Sequence, residues 1–579
     1  MISRLLPCHR GSVLGHSCAL AALLLLTCSC GWFLNNVPAP EVSLDSDIYT
    51  VKAGCELKLS PSYANLSGTP EFVWLCNGEL LSNDPELTFV CSKAGEYYVT
   101  IVVTTSGGSA ECEVRIDVTP LDEPKISLAG SDDGFTVIEN HTITFIPTVT
   151  TSLETTFQWS VDSQLSGTGK NLTFFAAERG EHVLRFSATN QDGTSSLAFK
   201  VFVCSEEDAP FDWEFESPSI SIPRGRTHTL APLSAKVLPT DADYCWYLDT
   251  VQVQKGMEPL YIFQATAEGN HDVTLRVSSG NLVVERTIAV QVCPAEGTYQ
   301  RAVTASSSVS FDKVYEYLPA PGQFINENFT ASTMDEACRW AESRLAQGAY
   351  VSLGGFGGYI VVGFDHSIVN DGGYNIAVTG NAYKGNSEPG VIWVMQDSNG
   401  NGLPDDIWYE LAGSEFTNDS TDRRHAVTYH RPAGAGEPVS WSDNRGATGQ
   451  VDYMGAFHKQ DSYYPAWVGT SSYTLYGTCL PSRNRDTSGN GTMWVNGDYE
   501  WGYADNFSAV DRLTDDGNVS AGASANHFKI SDAVTYDGRN ANLMHVDFVK
   551  IQTAVNAKSG WLGELSSEVL GVSDYNMVK

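Results

Sequence analysis

The sequence predicts an all-β protein: three tandem Ig-like sandwiches, then a larger jelly-roll-like sandwich with one short helix. Three observations predict this class. A tryptophan recurs in a short apolar strand at Trp74, Trp159 and Trp246, with spacings of 85 and 87 residues. A glycine opening a long alternating strand follows each one, at Gly95, Gly180 and Gly269, after 21, 21 and 23 residues. Past residue 310 that period disappears, while short β-branched and aromatic runs continue between Gly, Asn and Asp turns. Equal spacing of two independent landmarks marks homologous modules.

Residues 1–30 read as a signal peptide. Arg4 and Arg10 give a basic start, and the apolar core Ala19 to Leu26 is too short to span a bilayer comfortably. It ends in LTCSC, which resembles a bacterial lipobox. Cys30 is the expected lipidated residue, with Cys28 as the alternative. No later apolar run is long enough for a transmembrane helix, so the lipid would be the only membrane anchor. The expected location is the outer membrane, at the cell surface, with the periplasmic face left open.

The modules are read as residues 38–119, 120–204 and 205–294. Each has the size and turn grammar of an immunoglobulin-like sandwich, with the Trp at the buried strand-C position. These features resemble PKD-like domains, although none of the three carries that family's usual W-D-F-G-D-G stretch. The resemblance implies spacers, and three extended modules would reach on the order of 100 Å. Of 13 cysteines, Cys55, Cys76, Cys91 and Cys112 fall in the first module and can form two bridges.

The Ser/Thr/Ala-rich segment 295–310 reads as a linker. Residues 311–579 form the last domain. One helix is expected from Thr333 to about Leu345, capped by Ser332, with Glu336 near its first turn. The remaining runs, including YIVVGFDHSI, GVIWVMQD and HVDFVKIQTAV, read as strands of a single β-sandwich.

Within that domain the loop DSNGNGLPDD, residues 397–406, alternates oxygen-bearing side chains with small residues. A hard cation needs six to eight oxygens at short range, which a tightly turned loop can supply. Calcium is the expected cofactor. Its ligands would be Asp397, Asn399, Asn401 and Asp405, with the Leu403 carbonyl and Asp406 or Glu410 completing the shell. The loop is similar to the short calcium loops of thrombospondin type-three and dockerin repeats. It lacks the EF-hand glutamate, since position twelve is Trp408. A metal-free Asn-Gly hairpin is the alternative. Asn381 and Glu388, just upstream, are either extra oxygen ligands or turn formers.

Twelve aromatic residues crowd into 453–507, among Gly, Ser, Asn and Asp rather than aliphatic residues. One reading is a ligand platform with Trp467, Trp494 and Trp501 as stacking faces and Tyr463, Arg485 and Asp498 beside them. The other is packing of long loops against the sandwich. His425 and His430 sit at opposite parity on one strand, so they do not share a metal. No H-E-x-x-H, G-x-S-x-G or phosphate loop is present, and the protein is read as non-enzymatic.

Acidic residues outnumber basic ones 69 to 35, a net charge of −34. Such a balance argues against nucleic acid and against docking on anionic lipid. The strings YLPAPGQFINE, GGYIVVGFDHSI, SEPGVIWVMQDSNGNGLPDDIWYELAGSE and VDFVKIQTAVNAKSGWLGE resemble a family of Bacteroidetes cell-surface lipoproteins with PKD-like repeats. This resemblance implies a non-catalytic jelly-roll module, with some relatives in surface-uptake systems around an outer-membrane transporter. The expected partner is then an extracellular ligand, a glycan or a small nutrient such as a corrinoid, or else a neighbouring surface protein.

Overall fold

A computed structural model describes residues 37–578. The signal peptide and the candidate lipidation sites Cys28 and Cys30 lie outside the described residues. The chain divides into two compact units, the first ending at Glu123 and the second beginning at Pro124.

The first unit is a single sandwich. Its larger sheet has five strands, in the order Ile48–Lys52, Gly108–Thr119, Gly95–Thr105, Glu71–Cys76 and Glu79–Ser82. The first of these pairs in parallel with Gly108–Thr119, and the other pairings are antiparallel. Alternation along Gly95–Thr105 sends Val99, Ile101 and Val103 into the core around Trp74. The Trp74 indole is fully buried, and its N–H donates to the Asp84 carbonyl at 3.0 Å. Cys55, Cys76, Cys91 and Cys112, which the sequence allows to form two bridges, are all unpaired. The three less exposed ones pack as small apolar side chains against this core.

The second and third modules repeat the design. Trp159 and Trp246 are likewise fully buried. Three residues after each tryptophan the chain turns at positive φ, at Asn77, Asp162 and Asp249. Asn and Asp tolerate that region, and their side chains do a second job here. Each accepts a backbone N–H from the neighbouring long strand: Tyr98, Val183 and Asp272.

These two modules are not beads on a string. Phe135–Ile138 pairs in parallel with its own module's strand Gly193–Cys204, and Thr136 also registers with Leu282 of the third module. One sheet of ten strands results. Across the seam, Glu285 accepts from the Thr144 backbone N–H at 2.9 Å, and Arg276 of its own module donates to it at 2.6 Å.

The C-terminal domain is a β-sandwich. Its central sheet runs Lys313–Leu318, Tyr359–Val369, His545–Thr553, Gly390–Met395, Trp408–Leu411, Ala533–Val534, all antiparallel. A four-stranded sheet built on Asp422–His430 and a three-stranded sheet built on Ile376–Thr379 complete the body. The expected helix is Met334–Ala346. Its cap is Thr333 rather than Ser332: the Thr333 hydroxyl accepts the Glu336 N–H, and Glu336 in return accepts the Ser332 N–H. This reciprocal pair satisfies two otherwise orphaned donors.

The third module is not a spacer. One apolar core runs from its Phe211, Trp213 and Trp246 into Val314, Ile360 and Val549 of the C-terminal sandwich. Arg226 reaches across to the Ala541 and Asn542 carbonyls and to Glu296. Segment 295–310, expected as a linker, is strapped down. Arg301 donates to the Phe364 carbonyl and to the buried Asp547, and Ser310 bridges Ser573. Polar composition marked it as a loop, but the buried Asp547 needs a cation and the segment supplies one.

Replacing Arg226 by Ala should cost about 3 kcal/mol, because Glu296 is left buried without its cation. The check is urea unfolding, where the midpoint should fall at unchanged slope.

Candidate functional site

A cavity of about 540 Å³ lies where the third module meets the C-terminal sandwich. Cavities of 300–1,000 Å³ suit small-molecule ligands. The third module contributes Glu214, Glu216 and His228, and the central sheet contributes Tyr359, Trp393 and Lys550. Alternation on the strands aims these side chains the same way: Trp393 and Lys550 are register partners, as are Val361 and Lys550.

Lys550 is the focus of one wall. Its ammonium sits 4.8 Å from the ring centre of Trp408, 5.0 Å from Trp393 and 5.7 Å from Tyr359. Cation–π attraction compensates part of its lost hydration. The nearest carboxylate oxygen, on Glu216, is 4.0 Å away. Burial draws the Lys550 pKa below its ordinary value. Two more cations face the same space, Arg423 over Phe416 at 4.7 Å and Arg424 over Tyr536 at 4.3 Å. His228 is held neutral, burial lowering its pKa to about 4, and its Nδ1 has no hydrogen-bond partner. Glu410, the register partner of Trp393 on the same sheet, accepts the Thr478 hydroxyl at 2.7 Å, and burial raises its pKa to about 7.

The loop 397–406 forms the rim. The Asp397 carboxylate accepts the backbone N–H groups of Gly400, Asn401 and Gly402, at 2.8, 3.1 and 3.0 Å. Asn399 and Asn401 both donate to Asp405, and Asp406 accepts the Ser398 N–H at 2.6 Å. Leu403 donates its N–H to the Asn401 side chain. Gly400 takes φ +75°, and a Cβ there would meet the Tyr299 ring at 2.5 Å. The structure thus gathers Asp397, Asn399, Asn401, Asp405 and Asp406 into one network and leaves Glu410 outside it, bonded to Thr478. Asn399 also donates to Ser221 of the third module at 3.0 Å, so the loop is itself part of the junction.

The aromatic segment does not form one platform. Trp467 donates its indole N–H to the Tyr317 carbonyl and packs on that ring at 5.6 Å. Trp494 donates to the Gly491 carbonyl and covers Gly560. Trp501 lines a different cavity, of about 200 Å³, with Tyr374 and His527. Tyr463 is buried, its hydroxyl accepting from Met454 N and donating to the His458 carbonyl. Arg485 is exposed on the short strand Asn484–Asp486, and Asp498 accepts the Ser387 hydroxyl. The indoles of Trp467 and Trp494 and the Tyr463 hydroxyl fill space beneath long loops, each with a local hydrogen-bond partner.

Sequence reasoning missed a buried cluster. Glu388, Asp505 and Glu568 bring carboxylate oxygens within 4.8 Å of one another. Glu388 therefore belongs with two distant acids rather than with the calcium loop. Asp505 is positioned by the N–H groups of Asn381 and Glu568, both at 2.9 Å. Burial raises Glu388 to about 8 and Asp505 to about 7, and burial plus its two neighbours pushes Glu568 well above the ordinary range. Three like charges cannot coexist at this spacing in low dielectric, so protons are shared. No local motif announces a cluster assembled from residues so far apart in sequence.

Residues 38–105 match the PKD-like domain family. Among solved structures, the chain is similar to fibronectin(III)-like modules of Clostridium thermocellum CbhA, at 17% identity, covering 29% of this chain and 97% of that one, with a TM-score of 0.17. It is similar to an I-band fragment of titin at 11% identity, covering 43% and 98%, with a TM-score of 0.20. The Ig-domain complex of Dpr2 with DIP-Theta gives 14% identity, 43% and 98% coverage, and a TM-score of 0.17. No curated protein matches.

The carboxylate cluster fixes a pH dependence. Its folded pKa values lie above the ordinary values near 4. The folded state therefore holds more protons than the unfolded chain between about pH 4 and about pH 8, and the cluster's contribution to stability falls as pH rises through that window. Glu568→Gln, which mimics the protonated acid, should flatten the fall. Calorimetric melting temperatures from pH 5 to 8 decide it: a variant as pH-sensitive as the parent would contradict the assignment.

Proposed function

We propose that this chain is a non-catalytic envelope lipoprotein that captures a small ligand in the cavity between its third Ig-like module and its C-terminal sandwich. The observation that carries the reading is the cavity itself. It has the volume of a small-molecule site, aromatic walls and charged groups contributed by two domains. Ig-like and PKD-like modules serve surface and adhesive proteins, which suits a body held outside the cell. The ligand class in view is a glycan or another small nutrient with a ring body. A corrinoid would enter only in part.

Calcium in loop 397–406 belongs to the same proposal. The donor set fits a hard cation, with three carboxylates and two side-chain amides on one turn. Burial and mutual repulsion raise Asp406 to about 7 and lift Asp397 as well, a strain that a divalent cation relieves. Asp405 and Asp406 also line the cavity, so a rigid loop would hold that wall in place.

Two measurements test these statements. A thermal-shift panel of neutral and acidic glycans, mucin fragments and corrinoids should yield a ligand that stabilises the protein. At ~100 times its dissociation constant the gain is about 2.7 kcal/mol. Trp408→Ala should remove the shift, and an undiminished shift would move the ligand out of the cavity. For the metal, the melting temperature should be higher in millimolar calcium than in EDTA, with the difference erased by Asp397→Ala. Identical melting in both buffers would end the calcium reading.

A further inference from the structure

The cavity has an imbalance that its overall acidity conceals. Its acidic groups are nearly all engaged. Glu316 accepts the Tyr359 hydroxyl at 2.9 Å, Glu410 accepts Thr478 at 2.7 Å, Asp406 accepts Ser398 N at 2.6 Å, and Asp405 accepts Asn401 Nδ2 at 2.9 Å. Its basic groups are not. No acceptor lies within hydrogen-bond distance of the Lys550 ammonium among the described residues, and its one ion-pair contact, to Glu216, is 4.0 Å long. Among the described residues neither Arg423 nor Arg424 is in an ion pair, Arg424 having the neutral Tyr536 hydroxyl as its partner, although acidic residues outnumber basic ones almost two to one in this chain. Both guanidinium groups rest on aromatic faces instead.

A largely buried ammonium with three donors and no acceptor is costly unless something supplies one. Its nearest protein neighbours are three ring faces, which offer attraction but no lone pairs, and the carboxylates of Glu216 and Glu316 stand beyond hydrogen-bond distance. The acceptor must therefore come from the cavity side. A ligand anion meets this need better than water does, since charge-assisted hydrogen bonds are roughly twice as strong as neutral ones.

Resting on the capture reading above, we infer that the cavity selects a ring-bodied ligand carrying a carboxylate, sulfate or phosphate group, with Lys550 as the anion anchor and Arg424 as its support. The aromatic walls take the flat body, and the unpaired cations take the charge.

Two fluorescent probes separate this inference from its premise. 8-Anilinonaphthalene-1-sulfonate and N-phenyl-1-naphthylamine share one aromatic body and differ by a single sulfonate. The full mature chain should bind the sulfonate probe at least ~10-fold more tightly. Lys550→Met should bring the two affinities within ~2-fold of each other while leaving the neutral probe unchanged. Arg424→Gln should reduce the preference too, and it serves if Lys550→Met fails to fold by circular dichroism. Trp408→Ala should weaken both probes, placing them in the cavity. Equal binding of the two probes by the parent protein overturns the anion inference and leaves the cavity reading intact. Binding of neither, or binding indifferent to Trp408→Ala, overturns both.

Discussion

The apolar contact between the third sandwich and the C-terminal sandwich is the constraint from which the rest of the second unit follows. A free Ig-like module buries one face of each sheet and exposes the other. Here residues around Trp213 and Trp246 continue into the core around Ile360 and Val549, so the module cannot detach without exposing that surface. The contact is then locked by polar groups that would be expensive to leave unpaired. Arg226 satisfies Glu296 together with two carbonyls, and Glu296 also accepts from Gln396 and from Met544 N. Segment 295–310 is pinned by the same logic, because Arg301 answers the buried Asp547.

Fixing two domains against each other creates a cavity that neither has alone. Strands of the central sheet present Trp393 and Lys550 to it, and the third module closes it with Glu214, Glu216 and His228. The loop 397–406 stands at the same seam, tied to the module through Asn399 and Ser221. The shape of this cavity therefore depends on three things acting together: the shared core, the Arg226 lock and the loop 397–406. Immobilising such walls before the ligand arrives is what lowers the ordering cost of binding.

Electrostatics in this chain works by local matching rather than by net charge. The chain is strongly acidic, yet the cavity rests three cations on aromatic faces, with one long ion-pair contact, Lys550 to Glu216 at 4.0 Å. Elsewhere three carboxylates, Glu388, Asp505 and Glu568, are gathered together, with backbone donors holding Asp505 and burial raising the pKa of all three. Both arrangements place charges where desolvation governs their state. Both therefore respond to pH and to ligands more than exposed charges do.

Much of the architecture was legible in the sequence, because periodicity reports local geometry. The spacing of Trp74, Trp159 and Trp246 gave three sandwiches, alternation gave their core strands, and Ser332-Thr333 with Glu336 gave the helix start to within one residue. The loop 397–406 was also readable, since a turn brings alternate side chains of one short segment together by itself. What the sequence did not disclose was everything made of residues distant along the chain. The aromatic density at 453–507 suggested a platform, but whether an indole faces solvent or Tyr317 depends on what folds over it. The cavity joins Glu216, Trp393, Arg424 and Lys550, and the carboxylate cluster joins Glu388, Asp505 and Glu568; no spacing rule connects them. Local residue pattern by itself determined the modules, the turns and the rim loop. Only tertiary structure decided that the third module is a wall and not a spacer, because that outcome rests on burial between domains, and burial is a property of the packed chain.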